Sequence, residues 1–472
     1  MVHKKEIRTH TFPNGLKVIY QKSMQELPIT TIYAFCKVGS AYETDRVRGA
    51  SHFVEHMCFK GTHKREEARE ILKQYDQIGA FFNAYTEKRF TAYMVKCEDK
   101  YVHHCSEILG DMLMNSMFPR KEFDKEQKVV VEESIKGIND DEYMLQERMD
   151  QIIYRGSSYQ YSIDCLKYHP SPTFLQYSDI FEWYHWFYHP SNMIFSITSN
   201  LSFSTILSML KKTDFVKKDR HSADTRPAFA LEKPILTLAP IYANTNMNMN
   251  TKITKEKHVQ IEFYQKKGVS TDILNIAFRT CNRFSPDKYK LTLLKHVLNG
   301  LSGKLFTALR TKHGLTYNSV CLTENYEHTG SFTIQIQTDP SKVVKDNHHI
   351  GVLPVIIRLL SDLKKNGVTT EDIHVAKGNI QGKSLLSLQL MDNMTEYNGI
   401  ECVYQESGSE TESESNKIVP YSKIYDTFLA DLSKKDIQDI IHKYLIRENM
   451  VVGIMYEKGI NKKIIQDICD TF

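Results

Sequence analysis

No apolar run in this 472-residue chain approaches the roughly 20 residues that a membrane-crossing helix needs. Met1 to Arg8 is basic but lacks the apolar segment of a secretory signal. Strand-like sequence starts by about Glu6, so no amphipathic presequence is expected to precede it. The nine cysteines are scattered, odd in number and never spaced CxxC, which argues against a disulfide framework or a cysteine zinc site. A reducing, cytoplasmic compartment is the expectation. Charge of one sign is also missing: 61 basic and 57 acidic residues leave a net +4. No basic stripe with interleaved aromatics accompanies it, so nucleic acid is not an expected partner.

What is present describes a soluble globular protein, with 41% apolar and 25% charged residues. The length exceeds one ordinary core and suits two domains. Ile7–Ser23 reads as two strands joined at Pro13-Asn14-Gly15, a tight-turn signal. Thr30–Val38 is an apolar, β-branched run, and Phe82–Lys96 reads as a strand pair. Gly49–Lys60 reads as a helix stopped by Gly61, and Arg120–Ile138 as another. The second half repeats this mixture, with strands at His258–Tyr264, Asn318–Asn325 and Gly330–Thr338 and a long helix at Thr370–Leu390. The expectation is an α+β protein of two domains, 1–215 and 252–472, joined by a polar linker at 216–251. The order of elements suggests a duplicated α+β unit, which sequence identity alone does not demonstrate. The acidic run Glu406–Asn416 lacks apolar residues and reads as a flexible surface loop.

His52-Phe53-Val54-Glu55-His56 carries the chemistry. On a helix, positions i and i+4 share a face, so both imidazoles can reach one metal ion. Glu55, at i+3 from His52, lies near that face. A catalytic zinc takes three protein ligands and keeps a place for water, whose pKa it lowers towards neutrality. The neighbouring carboxylate can take the proton and return it to the leaving amine. A third ligand is offered by Glu133, which lies seven residues beyond Glu126 on the same helical face. Glu132 is the rival, but points about 100° away. Val129 and Val130 are expected on the core side.

HxxEH followed by 76 residues, Met57 to Glu132, and then Glu133 is the inverzincin pattern. The chain resembles the pitrilysin and insulinase family, in its short branch with the mitochondrial processing peptidase β subunit and bacterial relatives. Arg48–Thr62 resembles the family's core segment. Gly79–Thr86 resembles its substrate strand, and Leu298–Phe306 and Arg310–Tyr317 resemble parts of its C-terminal domain. The resemblance implies a zinc-dependent endopeptidase with one Zn2+ per chain, held by His52, His56 and Glu133. Glu55 would be the general base and Glu126 would orient a zinc-bound histidine. Asn83, Ala84 and Tyr85 would pair with substrate backbone as an added strand. Arg310 and Tyr317 would reach substrate from the other domain.

It further implies two related domains, each an antiparallel-rich sheet flanked by helices, forming half of a clamshell. Extended or unfolded peptides would be the substrates, and a homodimer or a heterodimer with a related chain would close the chamber. The alternative is a noncatalytic scaffold or partner subunit. Glu132 stands where relatives usually have arginine. The second half has no HxxEH, so a single zinc site is expected.

Overall fold

The structure, a computed structural model, describes residues 7–163, 175–218, 258–269, 271–344, 350–406 and 418–472. Residues 219–251 of the expected linker and 407–416 of the acidic run lie outside them. The described chain forms two compact units, each an antiparallel-rich sheet with flanking helices.

The first unit's strands are β1 (Arg8–Thr11), β2 (Lys17–Lys22), β3 (Ile29–Cys36), β4 (Phe81–Thr86), β5 (Thr91–Glu98) and β6 (Met193–Ser199). They lie in the order β1-β2-β6-β3-β5-β4, antiparallel throughout except between β2 and β6. The second unit's strands are β7 (Gln260–Gln265), β8 (Asp272–Thr280), β9 (Thr316–Asn325), β10 (Gly330–Thr338) and β11 (Met450–Tyr456). Their order is β7-β11-β8-β10-β9, again with one parallel pair, β7 and β11. With β1 set aside, the two sheets thread their strands in the same order, so the halves share one topology without shared sequence.

Alternation along β3 shows how the first sheet is used on both faces. Ile32, Ala34 and Cys36 enter one core, and Tyr33 and Phe35 the other. The first core is covered by α1 (Ala50–Met57), which contributes Phe53, Val54 and Met57, and by α3 (Val102–Met114). A second helix after α1, α2 (Ala68–Asp76), adds Ile71 and Tyr75. Phe123 and Val130 of α4 (Arg120–Asn139) join the same core. Val129 does not, being 38% exposed, because it lies a further 100° round the helix.

The opposite face of β3 is covered by the helix Met391–Gln405, through Cys402, Val403 and Tyr404. Gly399 permits the approach: a Cβ there would sit 2.0 Å from the Phe35 ring. In the second unit α5 (Asp141–Ile153) lies on the sheet in the same manner. Gly453 of β11 leaves room for Met149, whose sulfur would be 2.5 Å from an added Cβ. The compact units therefore differ from the expected spans 1–215 and 252–472: residues 138–160 belong to the second and 385–423 to the first. The physical reason is that each sheet has a second apolar face, and a helix from the other half of the chain buries it. Glu406, the first residue of the acidic run, is tied to the first unit by Lys17 at 3.2 Å and Lys37 at 2.5 Å.

Candidate metal centre

The start of α1 is set by a carboxylate that the sequence pattern does not single out. Gly49 has φ of 90°, a left-handed turn that suits glycine. The buried Glu43 then accepts the Gly49 N–H at 2.7 Å and the Ser51 N–H at 2.8 Å, two donors at the helix start with no partner in the helix itself. Beyond α1 the chain turns at Gly61, with φ of 133° and the Glu66 carbonyl oxygen 2.4 Å from where a Cβ would lie. A short helix pinned at both ends presents Phe53, Val54 and Met57 inward and leaves His52 and His56 on its other side.

Burial pushes the Glu43 carboxyl up to about 7, against the opposing pull of its two backbone donors and Arg48. An unfolded glutamate titrates near about 4.3. Between these values the folded state holds a proton that the unfolded chain releases. Stability is therefore expected to fall as pH rises from about 4.3 to about 7, by on the order of 3 kcal/mol, and to level off above. Glu43→Gln should flatten that part of the pH profile of urea unfolding. Wild type and variant changing in parallel across this window would refute the assignment.

The ligand atoms converge. His52 Nε2 and His56 Nε2 are 3.2 Å apart. Glu133 Oε2 lies 3.5 Å from the first and 3.3 Å from the second. Ligands bonded at about 2.0–2.1 Å and set tetrahedrally would stand about 3.4 Å from one another, so these separations fit a zinc ion. Among the described residues this is the single group of three or more histidine, cysteine, aspartate or glutamate side chains that could hold a metal. Glu133 remains 49% exposed, which leaves the group open to water. It lies on α4, and its buried companion Glu126 faces the same helix α1.

Glu126 Oε2 lies 3.0 Å from His56 Nδ1, while its Oε1 takes Lys60 Nζ at 2.6 Å. In the neutral ring Nδ1–H donates to this carboxylate, and Nε2 turns its lone pair towards the shared position. Burial alone would raise the Glu126 carboxyl, but bonds to His56 and Lys60 outweigh it and hold the group below the usual range. Burial, reinforced by the neighbouring His56, pushes His52 down to about 4, so its ring is neutral at pH 7. His56 is shifted the other way: burial opposes its charge, but Glu126, Glu133 and Glu55 together raise it.

Glu55 is buried, within electrostatic reach of His56 and Glu133, and Thr86 Oγ1 donates to its Oε2 at 2.7 Å. Burial raises its carboxyl to about 7, with the Thr86 bond and His56 pulling the other way. Neither Thr86 nor Lys60 has a sequence signal of its own. Both are brought to the centre by neighbours distant in the chain.

Asn83, Ala84 and Tyr85 lie on β4, which among the described residues is an edge strand paired with β5 alone. Asn83 is exposed and its Oδ1 accepts the Ala84 N–H at 2.9 Å, while the Tyr85 hydroxyl donates to Glu396. Arg310 and Tyr317 belong to the second unit. Arg310 is exposed in the helical turn Thr307–Thr311, with its guanidinium 5.2 Å from the Phe306 ring centre, and Tyr317 is the second residue of β9. The eight described cysteines are buried and unpaired. No described helix is long and apolar enough to cross a membrane.

Residues 18–166 match the model of the insulinase family, peptidase family M16, and residues 175–380 that of the peptidase M16 inactive domain. An uncharacterized zinc protease of Bacillus subtilis, YmxG, is 28% identical over 83% of this chain and 87% of its own. The probable mitochondrial-processing peptidase subunit beta of Arabidopsis thaliana is 35% identical over 128 residues, 27% of this chain and 24% of its own. A solved protease structure from Helicobacter pylori superposes with a TM-score of 0.78 at 19% identity, covering 96% of this chain and 100% of that one, which shows the shared fold. With matches to both halves of the family's domain pair and a zinc protease relative along most of its length, the chain belongs to the insulinase family of peptidases, M16.

Proposed function

We propose that the protein is a zinc-dependent endopeptidase that cuts extended or unfolded peptides. The observation that carries this reading is the convergence of His52, His56 and Glu133 at 3.2–3.5 Å, with the buried Glu55 carboxylate close enough to His56 and Glu133 to interact with them. When bound, zinc supplies a Lewis acid that brings a water's pKa towards neutrality. Glu55 takes the proton of the attacking water and delivers it to the leaving amine, which is why a buried, proton-accepting carboxylate belongs next to the ligands. Glu126 and Lys60 hold the His56 ring in its ligating orientation. β4 offers an edge that is unpaired among the described residues, to which an extended peptide adds as a further strand, with Asn83, Ala84 and Tyr85 along it. Folded proteins cannot supply such a strand and are expected to resist.

In the same reading Arg310 and Tyr317 contact substrate, and a second chain, identical or related, is the partner. The likeness to a chain named a processing-peptidase subunit supports a partner. Location in a reducing, cytoplasmic compartment accords with the unpaired cysteines. The test is removal of the metal. Denatured polypeptide should be cleaved by purified protein, cleavage should stop with a chelator, and stoichiometric zinc should restore it. A protein that binds no zinc after gentle purification and reconstitution would instead be the noncatalytic scaffold of this fold.

A further inference from the structure

We propose that Thr86 is a positioning residue for Glu55, so that the strand offered to an extended peptide also sets the aim of the base. The inference rests on the peptidase reading above. Thr86 is the last residue of β4, and its hydroxyl donates to Glu55 Oε2 at 2.7 Å. Both side chains are buried, at 9% and 8% exposure. A glutamate has three side-chain torsions, and a carboxylate held at one oxygen loses most of that freedom. Thr86 is suited to the task because a β-branched side chain is stiff at χ1. Its backbone is also fixed, in register opposite Thr91 of β5.

The strand is held at the preceding residue as well. Successive side chains of a strand face opposite ways. Thr86 faces α1, and Tyr85 turns to the helix Met391–Gln405, where its hydroxyl donates to Glu396. Two consecutive residues thus tie β4 to the base on one face and to the covering helix on the other. A peptide pairing along the free edge of β4 lies against the element that orients Glu55. Peptide binding and base alignment are then linked by one hydroxyl.

The test compares Thr86→Val, which keeps the shape and loses the hydroxyl, with Thr86→Ser, which keeps the hydroxyl. Thr86→Val should lower kcat on a denatured polypeptide by about 10- to 100-fold, with KM and the zinc dissociation constant within about twofold of wild type. Thr86→Ser should recover most of the loss. If Thr86→Val does not fold, Thr86→Ala carries the same comparison. Wild-type kcat in Thr86→Val, a loss that follows zinc loss, or a serine variant as slow as valine would each overturn the proposal. Glu55→Gln, run alongside, separates the two readings. If it is inactive while Thr86→Val is fully active, only the positioning role fails; if it is fully active, Glu55 is not the base; and if zinc-loaded wild type cleaves no denatured polypeptide, the peptidase reading fails.

Discussion

Glu55→Gln is expected to lower kcat on an unfolded polypeptide by about 10²- to 10⁴-fold while zinc content stays the same. The amide has nearly the shape of the carboxylate and can still accept the Thr86 hydroxyl, so packing around α1 is preserved. What it cannot do is accept a proton from water at neutral pH. The effect belongs to kcat, since Glu55 is not among the converging ligand atoms. Zinc per chain, measured on the same preparation, guards against the trivial explanation that the centre has been lost. Full activity with bound zinc would remove Glu55 from the mechanism.

Glu133→Ala is expected to give the other large effect, loss of most bound zinc and with it of cleavage. Two imidazoles and one carboxylate are the whole described donor set. Removing the carboxylate leaves two neutral nitrogens to hold a dication, without the anionic ligand that stabilises it. The neighbouring Glu132→Ala is the control. Both side chains are exposed on α4, but only Glu133 approaches the two rings, at 3.5 and 3.3 Å. Glu132→Ala should therefore keep about one zinc per chain. Equal zinc loss in both variants would mean that the acidic face of α4, not a specific ligand, retains the metal.

Local signals were enough where the chain turns. Pro13-Asn14-Gly15 marks the β1–β2 hairpin because the turn needs Gly15, at φ 91°. The centres of the sheets are harder to read. β8 is buried over its first seven residues and β11 over all of its length, so neither shows a polar face to set the period. The domain division is harder still. Nothing local in Asp141–Ile153 or Met391–Gln405 says which sheet each will cover.

The sequence by itself determined the chemistry on offer: His52 and His56 one helical turn apart, Glu55 between them, and Glu126 and Glu133 on one face of a second helix. These depend on helical periodicity alone, which acts over a few residues. The tertiary structure decided the rest. It placed Glu133 rather than Glu132 against the imidazoles, capped the helix with Glu43, ran the Lys60–Glu126 pair behind His56 and brought Thr86 to Glu55. Those contacts join residues from 6 to 81 positions apart in the chain. They exist only once sheet and helices have packed, because a buried carboxylate is aimed by the partners that burial forces upon it.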